Sequence, residues 1–181
     1  MANANHIVEY EFRCCHCGYD LRTLSFETAC PECGIEVLIS ACDIAERVKS
    51  GPVGREGSCQ FTRLVAVAAN TAYVLDAVSF LWRAHQFLDE ARRDPADLNS
   101  LPGNAPVTAR ELCFAVRDLA IVEFGSAFRA RLCDWQLPTN EDVGRCVAEM
   151  IKYGAMKVDA GDSEQDFASQ HCPSPCAKDT V

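Results

Sequence analysis

The chain reads as a small β module clamped by a metal ion and joined to a larger, mainly α-helical domain. Three features predict that division. Two Cys-x-x-Cys-Gly motifs, Cys14 to Gly18 and Cys30 to Gly34, stand near the start. A run of turn formers, Gly51-Pro52-Val53-Gly54-Arg55-Glu56-Gly57-Ser58, follows them. Beyond that run, apolar residues recur with the period of packed helices. The expected boundaries are a cysteine module over 1–41, a linker over 42–59, a helical domain over 60–168 and a disordered polar tail over 169–181. With 181 residues and 49% apolar side chains, the chain suits one mid-sized core plus a small module.

The cysteine motifs carry the clearest chemistry. Zinc takes four soft or borderline ligands in a tetrahedron. A Cys-x-x-Cys pair on a tight turn presents two sulfurs about one tetrahedral edge apart, and the glycine after it lets the chain turn back. Cys14, Cys17, Cys30 and Cys33 are therefore the expected ligands of one structural zinc ion. Candidate strands flank the turns at residues 10–13 and 36–40. A module this small has little core, so the metal is expected to hold it; structural zinc contributes about 10–16 kcal/mol in small finger peptides. Cys15 and His16 lie inside the first turn and could compete, but the Cys14–Cys17 interval repeats that of Cys30–Cys33. Four thiolates complete the shell and leave no position for a catalytic water. A pair of redox dithiols is the competing reading; it wants a βαβ context that the sequence does not offer.

Most of the eight further cysteines are expected to be buried small side chains or plain thiols. In the tail, His171, Cys172 and Cys176 could form half of a second metal site, but an incidental cluster in a disordered segment explains them as well.

In the helical domain, a first short helix is expected over residues 61–69. A second, over 75–93, puts Ala77, Phe80, Leu81, Ala84, Phe87, Leu88 and Ala91 on one stripe and ends before Asp94-Pro95. Thr108 with Glu111 forms a capping box. The helix it starts, over 109–124, is apolar nearly all round and is expected to be central. Gly125 ends or bends it, and a helix of about ten residues should follow, ending near Trp135. Thr139 caps the last helix, whose expected buried stripe is Val143, Cys146, Val147, Met150 and Ile151, with Gly154 as its C-terminal cap.

The net charge is −9. By segment it is −4 over 1–40, zero over 41–60, −1 over 61–98, zero over 99–158 and −4 over 159–181. No segment is basic, so the charge profile argues against nucleic-acid binding through phosphate neutralisation. No basic region followed by an apolar run opens the sequence, and no apolar stretch is long enough to span a bilayer. A cytoplasmic protein, with no membrane contact, is the expectation.

The first module resembles the zinc-ribbon family, in the form C-x-x-C-G-Y-D-L-R…C-P-x-C-G. The matching residues are Cys14, Cys17, Gly18, Tyr19, Asp20, Leu21, Arg22, Cys30, Pro31, Cys33 and Gly34. The resemblance implies a zinc-ribbon β fold and leaves the role open. Residues 61–167 resemble an uncharacterised bacterial family of helical domains. The likeness rests on Glu111, Leu112, Arg117, Ala120, Phe124, Gly125, Leu132, Trp135, Asp142, Gly144, Val147, Gly154, Lys157, Asp162, Ser163, Asp166 and Phe167, with Val143 and Gln136 standing where that family has Phe and Gly. It implies an intact domain and no particular activity.

No catalytic motif is present: no phosphate loop, no G-x-S-x-G and no H-E-x-x-H. His85 reads as a partly buried helix histidine, Asp162, Glu164 and Asp166 as a solvated acidic run, and Trp82 and Trp135 as core or rim aromatics. The expected function is a zinc-binding adaptor that contacts an unidentified protein partner, without catalysis. The alternative is a nucleic-acid-associated factor with a winged-helix-like domain, using Arg145 and Lys152 on the exposed face of the final helix and Lys157, which follows it. Glu149 between them weakens it.

Overall fold

The computed structural model describes residues 6–50, 59–93, 95, 107–157 and 166–167. The helices are α1 (Val37–Lys49), α2 (Cys59–Asn70), α3 (Leu75–Ala91), α4 (Ala109–Phe124), α5 (Phe128–Asp134) and α6 (Asn140–Lys152). A 3-10 turn, Gly125–Ala127, links α4 to α5. Helix α3 packs on α1, α2 and α4; α1 also packs on α4, and α6 closes against α2, α3 and α4.

The apolar spacing explains the centre of this bundle. On α3 the buried residues include Ala77, Phe80, Leu81, Ala84, Phe87, Leu88 and Ala91, one helical stripe. On α4 the whole run Leu112–Ala120 is buried. Both main caps form. The Glu111 amide donates to Thr108 Oγ1 at 3.3 Å while the Thr108 amide donates to Glu111 Oε2 at 3.1 Å. Thr139 and Asp142 do the same for α6, at 3.1 Å in each direction.

The N-terminal segment corrects the expected β module. Among the described residues there is no strand. Residues 10–13 make only an isolated bridge, Arg13 to Asp20, and residues 37–40 of the second expected strand begin α1. The physical reason lies in the period. Val37, Ala41, Ile44, Ala45 and Val48 are all buried on α1 and recur at intervals of three and four, a helical stripe that ending the module at residue 41 cuts in two. Residues 42–49, expected as linker, belong to that same helix; 51–58 lie outside the described residues. A smaller correction concerns Ile151, which is exposed rather than on the buried stripe of α6.

The N-terminal residues pack into the bundle. Val8, Tyr10, Phe12, Leu21 and Phe26 are all buried and join one apolar cluster with α3 and α4. The Phe12 ring lies 6.1 Å from that of Phe87. The Arg13 amide donates to the Ala91 carbonyl at 2.7 Å, at the end of α3, and Arg117 donates to the Ile7 carbonyl at 3.0 Å.

The far edge of the bundle is closed by Phe167, which is buried against α6. A methyl group on Gly144 would sit 2.6 Å from Phe167 Cβ and 2.7 Å from its Cγ, so only glycine lets this ring approach. Gly144→Ala is expected to destabilise the fold by roughly 1–3 kcal/mol through overpacking. Urea unfolding of the variant beside the parent chain measures it, and an unchanged midpoint would mean that Phe167 does not dock there.

Candidate metal centre

Two short turns build the site, and they are copies of each other. In the first, the Cys14 amide donates to the Tyr19 carbonyl at 2.9 Å and the Gly18 amide to the Cys14 carbonyl at 3.0 Å. In the second, the Cys30 amide donates to the Ile35 carbonyl at 2.7 Å and the Gly34 amide to the Cys30 carbonyl at 2.9 Å. Single bridges flank both, Arg13 to Asp20 and Ala29 to Glu36. Gly18 and Gly34 take φ of 76° and 77°, the left-handed region that an L side chain resists, which is why a glycine follows each cysteine pair.

This repetition brings the four sulfurs together. Cys14 Sγ lies 3.5 Å from Cys33 Sγ, Cys17 Sγ lies 3.6 Å from Cys30 Sγ, and all four are within 4.8 Å of one another. A tetrahedron of Zn–S bonds of about 2.3 Å has edges of about 3.8 Å, so the spacing is that of a ligand shell. Disulfides need about 2.05 Å, and the four cysteines are free thiols. Cys14 and Cys30 are buried, Cys33 is half-buried and Cys17 is exposed, so one side of the cluster faces the core and the other faces solvent.

The protons are shared unevenly among the four sulfurs. The Tyr19 amide bonds Cys17 and the Ile35 amide bonds Cys33, but desolvation and the neighbouring sulfurs outweigh them, so Cys17 is pushed up to about 12 and Cys33 is raised as well. Burial alone pushes the Cys14 thiol up, but the amides of Cys17 and His16 and the side chains of Cys33 and Ser40 outweigh it and bring it down to about 6. Four thiolates offer a soft, fully occupied tetrahedral shell. That donor set fits one structural zinc ion and leaves no open position for substrate. Cys15 and His16 do not join the group.

Ser40 is the residue that reading the sequence missed. Its side chain is fully buried on α1, and its hydroxyl donates to Cys14 Sγ at 3.8 Å. The available signal was a lone hydroxyl on the buried stripe of a helix, hidden because residues 36–40 read as a strand. Groups that hydrogen-bond a metal ligand typically change affinity by about 10–100-fold when removed. Ser40→Ala is expected to weaken metal binding by roughly tenfold, the low end because the contact is long. Competition with a chromogenic chelator measures it; equal affinity would remove Ser40 from the site.

The other candidates take structural places. His85 is half-buried on α3, stacked on Trp82 at 5.9 Å and 3.5 Å from Asp89 Oδ2, and desolvation, helped by Arg92, lowers its pKa. Trp135 packs between Phe80 and Phe124, with ring centroids at 5.3 and 5.5 Å. On α6, Arg145 pairs with Asp142 at 2.5 Å and Lys152 with Glu149 at 3.2 Å. Cys113 and Cys146 are buried free thiols, whereas Cys133 is disulfide-bonded. Asp162, Glu164, His171, Cys172 and Cys176 lie outside the described residues. Among the described residues no helix is long and apolar enough to cross a membrane.

No protein-family model, curated protein or solved structure matches the chain, so both family resemblances rest on the quoted residues alone.

Proposed function

We propose that the chain is a zinc-binding protein that works as a non-catalytic interaction module. The observation that carries this reading is the closed cluster of Cys14, Cys17, Cys30 and Cys33, a donor set suited to holding a fold rather than to activating a substrate. A second observation supports the interaction role. Of the seven large apolar side chains exposed among the described residues, four, Ile7, Tyr19, Leu38 and Ile39, belong to the end of the chain that carries the cysteines, while Val65, Val74 and Ile151 lie apart from it. Exposed apolar side chains around a rigid, metal-held turn are what a protein partner can bury.

The nucleic-acid reading draws less support. The cations of α6 that would face a groove are each paired with a carboxylate three residues earlier. Counterion release needs cations free to meet phosphate.

Metal analysis of the purified chain is expected to give close to one zinc per molecule. Cys30→Ser should remove it, and Cys15→Ser should leave it. Two tightly held metals, or retention in Cys30→Ser, would refute the assignment. For the interaction role, Tyr19→Ser and Ile39→Ser should both keep full zinc content while losing a partner captured by the parent chain from its native cell. Tight duplex-DNA binding at physiological salt, resistant to competitor, would overturn that role.

A further inference from the structure

A cavity of about 590 Å³ opens among α1, α2, α3 and α4, toward the C-terminal end of α1. Its size falls within the range of small-molecule sites, roughly 300–1,000 Å³. Ala45, Val48, Phe61, Val122 and Phe124 give it apolar walls. One of these rings belongs to a larger aromatic group: Phe124 lies 5.8 Å from Phe80 and 5.5 Å from Trp135. The polar lining includes the ion pair of Arg83 and Glu123, whose side chains are 21% and 13% exposed. The guanidinium of Arg83 lies over the Phe80 ring at 5.6 Å.

From this arrangement we infer that the cavity is a binding site for a flat, uncharged aromatic molecule with a hydrogen-bond acceptor and donor side by side on one edge, as in an aromatic amide or a nitrogen heterocycle. The walls select the flat apolar body, which extends the aromatic group around Phe124. The ion pair selects the edge. A guanidinium carries five N–H donors and a carboxylate about four acceptor sites, so their mutual bond leaves donors on Arg83 and lone pairs on Glu123. A ligand acceptor meets the first and a ligand donor meets the second. Charge selects neutrality. The lining holds Lys49 and Arg83 against Glu46 and Glu123, so a net charge on the ligand finds no uncompensated partner.

The test uses the full-length zinc-loaded chain and four probes of similar shape: benzamide, benzoate, benzamidine and toluene. Methyl NMR signals of Val48 and Val122 report occupancy. Benzamide is expected to shift both, with saturation, and to bind at least tenfold more tightly than each of the other three. Ala45→Leu, which adds bulk to the wall, is expected to cut benzamide affinity at least tenfold while leaving zinc content and melting temperature near those of the parent. Arg83→Met should abolish the preference for benzamide over toluene. Equal binding of toluene in the parent chain would show a merely apolar hole, and tighter binding of benzoate or benzamidine would show a charged site. Either result, the absence of any shift at Val48 and Val122, or full benzamide affinity in a folded Ala45→Leu chain overturns the proposal. Should Ala45→Leu fail to fold, the probe series on the parent chain and Arg83→Met still decides it.

Discussion

Removing the metal is expected to weaken the whole molecule, not only its first forty residues. The segment that the cysteines hold contributes Val8, Tyr10, Phe12, Leu21 and Phe26 to the same buried cluster as Phe80, Phe87 and Leu119. Helix α1 starts three residues after Gly34 and packs on both α3 and α4, so the second cysteine turn is wired directly into the bundle. Structural zinc contributes about 10–16 kcal/mol to small finger peptides that have almost no other core. Here packing supplies part of the stability, so a smaller loss is expected, on the order of 5 kcal/mol. For a chain of this length that corresponds to a melting temperature lower by about 10–20 °C. Cys30→Ser and treatment of the parent chain with a chelator should agree. Both should show one cooperative transition by circular dichroism and by Trp fluorescence. Two separate transitions, with the helical one unmoved, would mean that the metal-bearing end folds on its own and only rests on the bundle.

The helical part of the architecture was legible because its signals are local. The stripe of α3, the near-uniform apolar run of α4 and the Thr108–Glu111 box each lie within a few turns of chain, and the residues found buried are those that the period marks. The cysteine cluster was legible for the same reason, since Cys14, Cys17, Cys30 and Cys33 repeat one spacing. Among the described residues there was no strand to find. A turn closed by a left-handed glycine and a single bridge needs no strand on either side, and the chain after Glu36 follows its own helical period. Dividing the chain at residue 41 assumed that composition marks a boundary in space. Turn formers do follow α1, but its apolar face belongs to the bundle. Ser40 could not be assigned from sequence because its partner, Cys14, is distant in the chain.

A buried ion pair on α4 underlies the second large effect expected. Arg117 and Asp118 form an ion pair at 2.7 Å, with side chains 9% and 0% exposed. Around it, Arg117 also donates to the Ile7 carbonyl at 3.0 Å and stacks over Phe114 at 4.9 Å, while Glu9 pairs with Arg110 at 3.3 Å. The pair thus joins α4 to the start of the chain from inside the core. Removing one member of a buried pair typically costs about 3–5 kcal/mol, because the other charge stays behind without its partner. Arg117→Ala is expected to fall in that range, measured by urea unfolding near pH 7.5. The pH dependence separates a lost charge partner from lost packing. Burial pushes the Asp118 carboxyl up, against Arg117 and Tyr10, which pull it down. A carboxyl whose folded pKa lies above its unfolded value, about 3.9, binds protons more tightly when folded, so its contribution to stability grows as pH falls through that window. Without Arg117 the folded value rises further and the window widens. The deficit of Arg117→Ala against the parent should therefore shrink between pH 7.5 and pH 5.5, each compared at the same pH. A deficit that stays constant across that range would assign the loss to packing against Phe114 and the Ile7 carbonyl. Replacing both charges with apolar residues, Arg117→Met with Asp118→Leu, should recover part of the stability and abolish the pH dependence, because no buried charge is then left uncompensated.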